Sequence, residues 1–302
     1  MGEIQFNTPV TLNLARTKLL LPFTVWLAAA ACDAQPTNPA AFPLEAAPGV
    51  LQVGRITNPR LTECSGVVAS RQHPEIFWSH TDGGGGKKQL LFGINREGRT
   101  KVEFFVTGAS LGDWEDIAID DQRHLFVGDI GNNNAAKTQI AVHQIDEPDP
   151  QSRSPSVKIT RTWQLRFPAK PFNCESLFIW QTNGYVISKV FDGERAEIYR
   201  FPLDEQKQPF TLEFVTRLKI DSPVTGADLS ADGKQLGVVS HTGAFVYRVD
   251  GEIARAGRIK AVRTKFSNQH LEGCTFVPDG LLVTSETRGV FVFTNAPFLP
   301  VK

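Results

Sequence analysis

Asp113-Trp114-Glu115-Asp116-Ile117-Ala118 is one of five variants of a single pattern in this chain, the others being Ser65-Gly66-Val67-Val68, Glu175-Ser176-Leu177-Phe178, Thr225-Gly226-Ala227-Asp228 and Glu272-Gly273-Cys274-Thr275. Each variant sets a hydroxyl or a carboxylate ahead of a short apolar or small-residue run. Successive copies lie roughly 45 to 60 residues apart, close to the period of a β-propeller blade. Equivalent positions in a closed ring face one axis. The pattern therefore predicts that Ser65, Glu115, Glu175, Thr225 and Glu272 converge on one point.

Working outward from these copies, strands can be counted. The first four copies each open a group of four short strands: 65–70, 76–80, 90–94 and 101–106, then 115–119, 124–128, 139–145 and 157–167. The next two groups are 175–180, 185–189, 196–201 and 212–220, then 225–230, 235–240, 244–249 and 259–266. The fifth group has only three strands, 272–277, 281–285 and 290–294, while residues 50–56 read as a strand without a group. Pairing that strand with the last group uses every strand once and removes an open sheet edge. The expected fold is an all-β, five-bladed β-propeller, closed by the N-terminal strand pairing with the last blade and spanning residues 50–302.

Composition narrows the function. With 32 basic and 32 acidic residues the formal net charge is zero, so nothing steers the chain toward nucleic acid. Arg16 and Lys18 precede a short apolar run, 19–27, and the small residues 28–31, so residues 1–31 read as a signal peptide. Cys32 follows directly and resembles the lipid-attachment residue of a bacterial lipoprotein; plain secretion and a retained anchor are the alternatives. Residues 32–49, rich in Pro and Ala, read as a tether. In each case the domain is expected to work outside the cytoplasm, lipid-anchored to the cell envelope or secreted, as a monomer. Cys64, Cys174 and Cys274 have no metal-type spacing and read as buried thiols, a Cys64–Cys274 bridge being the alternative.

The first strand of a blade lies nearest the axis and the second runs antiparallel to it, so the start of one and the end of the other share a face. The second-strand ends are Ser79-His80-Thr81-Asp82, Gly128-Asp129-Ile130-Gly131-Asn132-Asn133, Ser188-Lys189, Ser240-His241 and Ser285-Glu286-Thr287-Arg288, all polar. The opposite ends are ordinary turns. Three glutamates on a narrow axis repel unless a cation or proton intervenes, and an all-oxygen donor set suits calcium. Ser65, Glu115, Glu175, Thr225 and Glu272 are the expected calcium ligands; the alternative is that they cap strand starts around a water-filled channel. Asp82, Asp129, Asn132, Asn133 and Glu286 are the expected ligand-binding face, with ordinary turn chemistry as the alternative for the loop 128–134. The run Gly83-Gly84-Gly85-Gly86-Lys87-Lys88 lacks the phosphate-loop pattern and reads as a solvated hairpin, the alternative being a flexible rim loop whose amides and lysines meet an anion.

Asp113-Trp114-Glu115-Asp116-Ile117-Ala118 with Leu125-Phe126-Val127-Gly128-Asp129-Ile130-Gly131-Asn132-Asn133 resembles a family of largely uncharacterised secreted bacterial β-propeller proteins. That resemblance implies a propeller and an extracytoplasmic location. More distantly, the Ser65, Glu115, Glu175 and Glu272 pattern looks like that of the calcium-activated apyrases, with Thr225 where a second serine is expected. This implies a central calcium and, with it, hydrolysis of nucleoside di- and triphosphates. Two functions follow as expectations. One is a binding module that holds a small-molecule or protein ligand at the calcium-bearing face. The other is an apyrase-like or phytase-like calcium-dependent hydrolase of phosphate esters or anhydrides, with Lys189 and Arg288 stabilising charge and His80 or His241 moving protons. A glycosidase using paired carboxylates is a third option.

Overall fold

The computed structural model describes residues 41–83, 89–108, 112–191, 193–204, 207–220, 222–267 and 269–294. The expected signal peptide, Cys32 and residues 84–88 of the glycine run lie outside the described residues. The described chain is all-β apart from one short 3-10 turn at Ile253–Gly257. No described helix is long and apolar enough to cross a membrane.

The strands fall where the turn signals place them. β1 (Leu44–Ala47) and β2 (Val50–Arg55) come first, and residues expected to be tether thus include a strand. β3 (Cys64–Ala69), β4 (Phe77–Thr81), β5 (Leu90–Ile94) and β6 (Thr100–Thr107) pair in order, each antiparallel to the next. β7 (Trp114–Ile119), β8 (His124–Asp129), β9 (Gln139–Asp146) and β10 (Ser156–Arg166) do the same. These two sets join into one sheet because β6 and β10 pair in parallel at their outer edges, Phe105 opposite Ser156. β14 (Phe210–Thr211) adds a short parallel pairing to the other end of β10.

A third sheet runs β11 (Cys174–Trp180), β12 (Asn183–Ser188), β13 (Glu197–Pro202) and β15 (Glu213–Arg217), and a fourth runs β16 (Val224–Leu229), β17 (Gln235–Ser240), β18 (Gly243–Arg248) and β19 (Val262–Lys265). The last sheet has the order β1-β2-β22-β21-β20, with β20 (Leu271–Val277), β21 (Gly280–Ser285) and β22 (Gly289–Phe293). β2 pairs antiparallel with β22, Val50 opposite Phe293, so the N-terminal strand completes the C-terminal sheet.

The leading strands of these sets contact one another in a cycle: β3 with β7, β7 with β11, β11 with β16, β16 with β20, and β20 with β3. Sequence explains the crowding. β7 and β3 are buried along nearly their whole length, as expected of strands covered on both faces, whereas outer strands such as β6 and β10 alternate. Glycine lets the inner backbones approach: a Cβ on Gly66 would stand 2.7 Å from the amide nitrogen of Ile117. The core is divided into layers between neighbouring sheets. Phe178, Ile187 and Ile198 of the third sheet meet Val238 and Tyr247 of the fourth, while Val50 and Phe293 of the last sheet meet Val239 and Val246 of the fourth. Cys64, Cys174 and Cys274 are free, buried thiols within these layers, so the alternative of a Cys64–Cys274 bridge does not hold. Burial pushes the Cys64 thiol up to about 11, which keeps it protonated and inert.

Candidate functional site

Each leading strand carries a register irregularity at its start, between Cys64 and Gly66, Trp114 and Asp116, Cys174 and Leu177, Val224 and Gly226, and Leu271 and Cys274. A bulge re-aims the side chain of the extra residue. Each of these five irregularities contains one of the five predicted residues, Ser65, Glu115, Glu175, Thr225 and Glu272, all buried.

Their partners differ. Ser65 donates its hydroxyl to the backbone oxygen of Glu115 at 2.8 Å and stands 3.5 Å from Oε2 of the same residue. Thr225 donates to the backbone oxygen of Leu271 at 2.7 Å. These hydroxyls thus fasten neighbouring leading strands and keep only lone pairs for any ion. Glu175 is held by the Lys189 ammonium on one oxygen and by Asn173 Nδ2 at 3.2 Å on the other. Glu272, 6% exposed, has no hydrogen bond or ion pair among the described residues.

Electrostatics tie the three glutamates together. Burial, then the carboxylates of Glu175, Asp82 and Asp113, push Glu115 up to about 10. Burial also raises Glu175, opposed by Lys189. Glu272 is driven well above the ordinary range by burial and then by Glu175, with Glu286 and Asp82 adding to it. The carboxyl groups of Asp82, Asp113 and Glu115 bring donor oxygens within 4.8 Å of one another. A side chain at Gly131 would collide with Glu115 Oε1 and Asp113 Oδ2, so this glycine keeps the space beside them open. The all-oxygen set of Asp82, Asp113 and Glu115 fits a hard divalent cation.

Other predicted residues sort differently. Asp129 is partly buried and lies beside the cluster; although burial raises its carboxyl, His143, the Asp113 amide at 2.7 Å and Lys137 bring it below the usual range. Asn132 is buried and spends its side chain on the backbone of Lys137 and Phe172, and Asn133 accepts from Asn173 at 2.9 Å. Both side chains take part in the loop's own hydrogen bonds. They support the site through Asn173, which reaches on to Glu175. His80 is fully buried, edge-on to Trp114 with ring centroids 5.9 Å apart, and burial lowers it to about 4. A neutral ring with no exposed face is unsuited to exchanging protons with a substrate. His241 is half-buried and lowered by burial, then by Lys189 and His270. Glu286 is exposed near the glutamates, whereas Arg288 takes a left-handed backbone, φ 68°, and accepts the Ile56 amide at 2.8 Å.

Sequence reasoning did not single out Asp113, Asn173, Lys137 or His270. Asp113 could have been found, since it opens the Asp113-Trp114-Glu115-Asp116 motif. Lys137, 3.4 Å from Asp113, is brought in by a turn of the loop and left no periodic signal.

No protein-family model matches the chain, and no curated protein matches it either. Solved structures do. An aldose sugar dehydrogenase from Streptomyces coelicolor in its PQQ-bound form is 9% identical, with 80% of this chain and 96% of that chain covered and a TM-score of 0.48. A gluconolactonase from Xanthomonas campestris is 11% identical over 80% of this chain and 88% of that chain, with a TM-score of 0.44. A chain of a nidogen/laminin complex is 14% identical over 74% and 73%, with a TM-score of 0.46.

Proposed function

We propose that this protein is a five-bladed β-propeller whose axial face binds calcium and, over it, a small-molecule or protein ligand, and that it does so outside the cytoplasm, anchored through Cys32. The observation that carries the proposal is Glu272: a carboxylate 6% exposed, without hydrogen bond or ion pair among the described residues, and electrostatically close to Glu175 and Asp82. An isolated buried carboxylate is costly. A divalent cation offsets that cost and relieves the repulsion that burial and Glu175 impose on Glu115. Glu115 and Glu272 are the principal ligands, Asp82 and Asp113 extend the donor set toward the rim, and Glu175 shares its charge with Lys189.

Binding is favoured over phosphate hydrolysis by the state of the candidate catalytic groups. Lys189 is committed to Glu175, and His80 is buried and neutral. Neither is poised to act on a phosphate oxygen.

The test is a calorimetric titration of calcium into the chelator-stripped full chain, alongside Glu272→Gln. One saturable site is expected in the parent and none in the variant. Saturating calcium at about one hundred times Kd should stabilise the parent by about 2.7 kcal/mol and the variant not at all. Absence of saturable binding in the parent would overturn the proposal and leave the glutamates as protonated structural groups.

A further inference from the structure

One cation of the chain itself reaches the axial carboxylates. Lys189 directly follows Ser188, the last residue of β12, which pairs across the sheet with Cys174 at the start of β11. Its amide donates to the backbone oxygen of Asn173 at 2.8 Å and its ammonium pairs with Glu175 Oε2, so backbone and side chain are both tied to the segment that carries this glutamate. The other oxygen of Glu175 accepts from Asn173 Nδ2. Only 13% of the Lys189 side chain and 6% of the Glu175 side chain are exposed, so the pair is shielded from the water that weakens surface ion pairs. The ammonium acts beyond its partner. Burial, then neighbouring carboxylates, raise Glu115 and Glu272, and Lys189 opposes the rise in both. A second lysine, Lys137, stands 3.4 Å from Asp113, but 40% of its side chain is in solvent.

We propose that Lys189 is a tethered counter-cation that competes with calcium for the axial carboxylates and thereby sets the affinity of the site, an inference that rests on the calcium reading above. It holds one oxygen of Glu175 and offsets part of the charge of Glu115 and Glu272, so a divalent ion entering the cluster meets a like charge already in place. Calcium–oxygen bonds are about 2.3–2.6 Å, so an ion on one oxygen of a carboxylate whose other oxygen holds an ammonium stands roughly 6 Å from the nitrogen. At that separation charges of +2 and +1 weaken binding about tenfold even with the dielectric of bulk water, and by more in a buried site. With so little of its side chain exposed, the ammonium has small room to withdraw into solvent as the ion arrives. Ligand charge count is a lever by which oxygen sites are tuned over several decades of calcium affinity, the weak end belonging to modules that work outside the cell. Three glutamates alone make a tight site; the lysine moves it toward that weak end.

The experiment is a calorimetric titration of Ca²⁺ into the chelator-stripped full chain for the parent, Lys189→Met, Lys189→Gln and Lys189→Arg, repeated with Tb³⁺. Expected are calcium binding at least tenfold tighter in the Met and Gln variants and no tightening in Lys189→Arg, which keeps the charge. Lys189→Gln retains a donor to Glu175 and carries the same expectation should the Met variant not fold, which circular dichroism establishes. Because repulsion scales with the charge of the ion, a tenfold gain for Ca²⁺ should come with about a thirtyfold gain for Tb³⁺. A site that had merely rearranged would not follow the charge. Thermal melts should place the neutral variants below the parent in chelator and give them the larger rise with calcium. Unchanged or weaker calcium binding in the folded neutral variants overturns the proposal, since a lysine that only props Glu175 in place acts in that direction, and equal tightening in Lys189→Arg overturns it too. Saturable binding in the parent without tightening in the neutral variants thus sinks this inference and leaves the calcium reading standing. Absence of binding in all four proteins sinks both. Binding that emerges only in the neutral variants supports the counter-cation and overturns the calcium reading for the parent.

Discussion

At Asp116 a fully buried carboxylate accepts the amides of Ile117 at 2.9 Å, Leu177 at 2.8 Å and Ala227 at 3.4 Å, so one side chain of β7 fastens β11 and β16. Asp116→Ala removes the acceptor and leaves buried donors unmatched, which should cost about 3–5 kcal/mol in a denaturant titration. Asp116→Asn retains an acceptor oxygen and should cost clearly less. Asp228 repeats the device between the last two sheets: its Oδ2 accepts from Thr275 Oγ1 and the Phe276 amide, each at 2.9 Å. Burial raises the Asp228 carboxyl despite these bonds and the nearby Arg71. A carboxyl raised in the folded state stabilises most below its unfolded value, about 3.9, and that contribution is lost as pH rises through the folded value. Stability of the parent relative to Asp228→Asn should therefore be greatest in acid and decline as the pH climbs. Denaturant titrations of both proteins at matched pH values check the sign; a relative stability that rises with pH refutes it.

β2 and β1 share a sheet but carry different loads. Val50 of β2 is fully buried against Phe293, Leu271 and Val239, whereas Leu44 of β1 is 40% exposed. Val50→Asp places an unpaired charge in that layer and should destabilise by about 3–5 kcal/mol, while Leu44→Asp should stay within about 0.5 kcal/mol. Equilibrium unfolding of the two variants separates closure by β2 from decoration by β1. The closing role of β2 was legible, because residues 50–56 had no group of their own and the last group lacked a strand. β1 was not: Leu44-Glu45-Ala46-Ala47 has no alternation and sits among prolines. Nor was the parallel weld of β6 to β10, since pairing between outer edges of successive sheets leaves no mark on the hydrophobic period. The five inward positions were legible because repetition revealed them. Which of them hold hydroxyl bonds to backbone and which face each other as carboxylates was not, because that depends on how close the strands come.

The cyclic contact of β3, β7, β11, β16 and β20 makes every leading strand depend on two neighbours, while β2 completes the sheet behind β20 by pairing with β22. A ring of this kind loses packing on both sides when any member leaves, so the sheets should melt together in one transition rather than sheet by sheet. A cation held by Glu115 and Glu272 joins β7 to β20, two strands that are not neighbours in the cycle, since β3 lies between them on one side. Calcium should accordingly raise the single transition and slow amide exchange in all five leading strands together, because their opening is the opening of the ring. Hydrogen exchange of the full chain with calcium and with chelator measures this. Protection gained only in β7 and β20 would mean that the ion stiffens its own ligands while the other strands open independently. Protection gained across β11 and β16 as well, strands that supply no ligand carboxylate except the lysine-paired Glu175, would place the coupling in the closed ring itself.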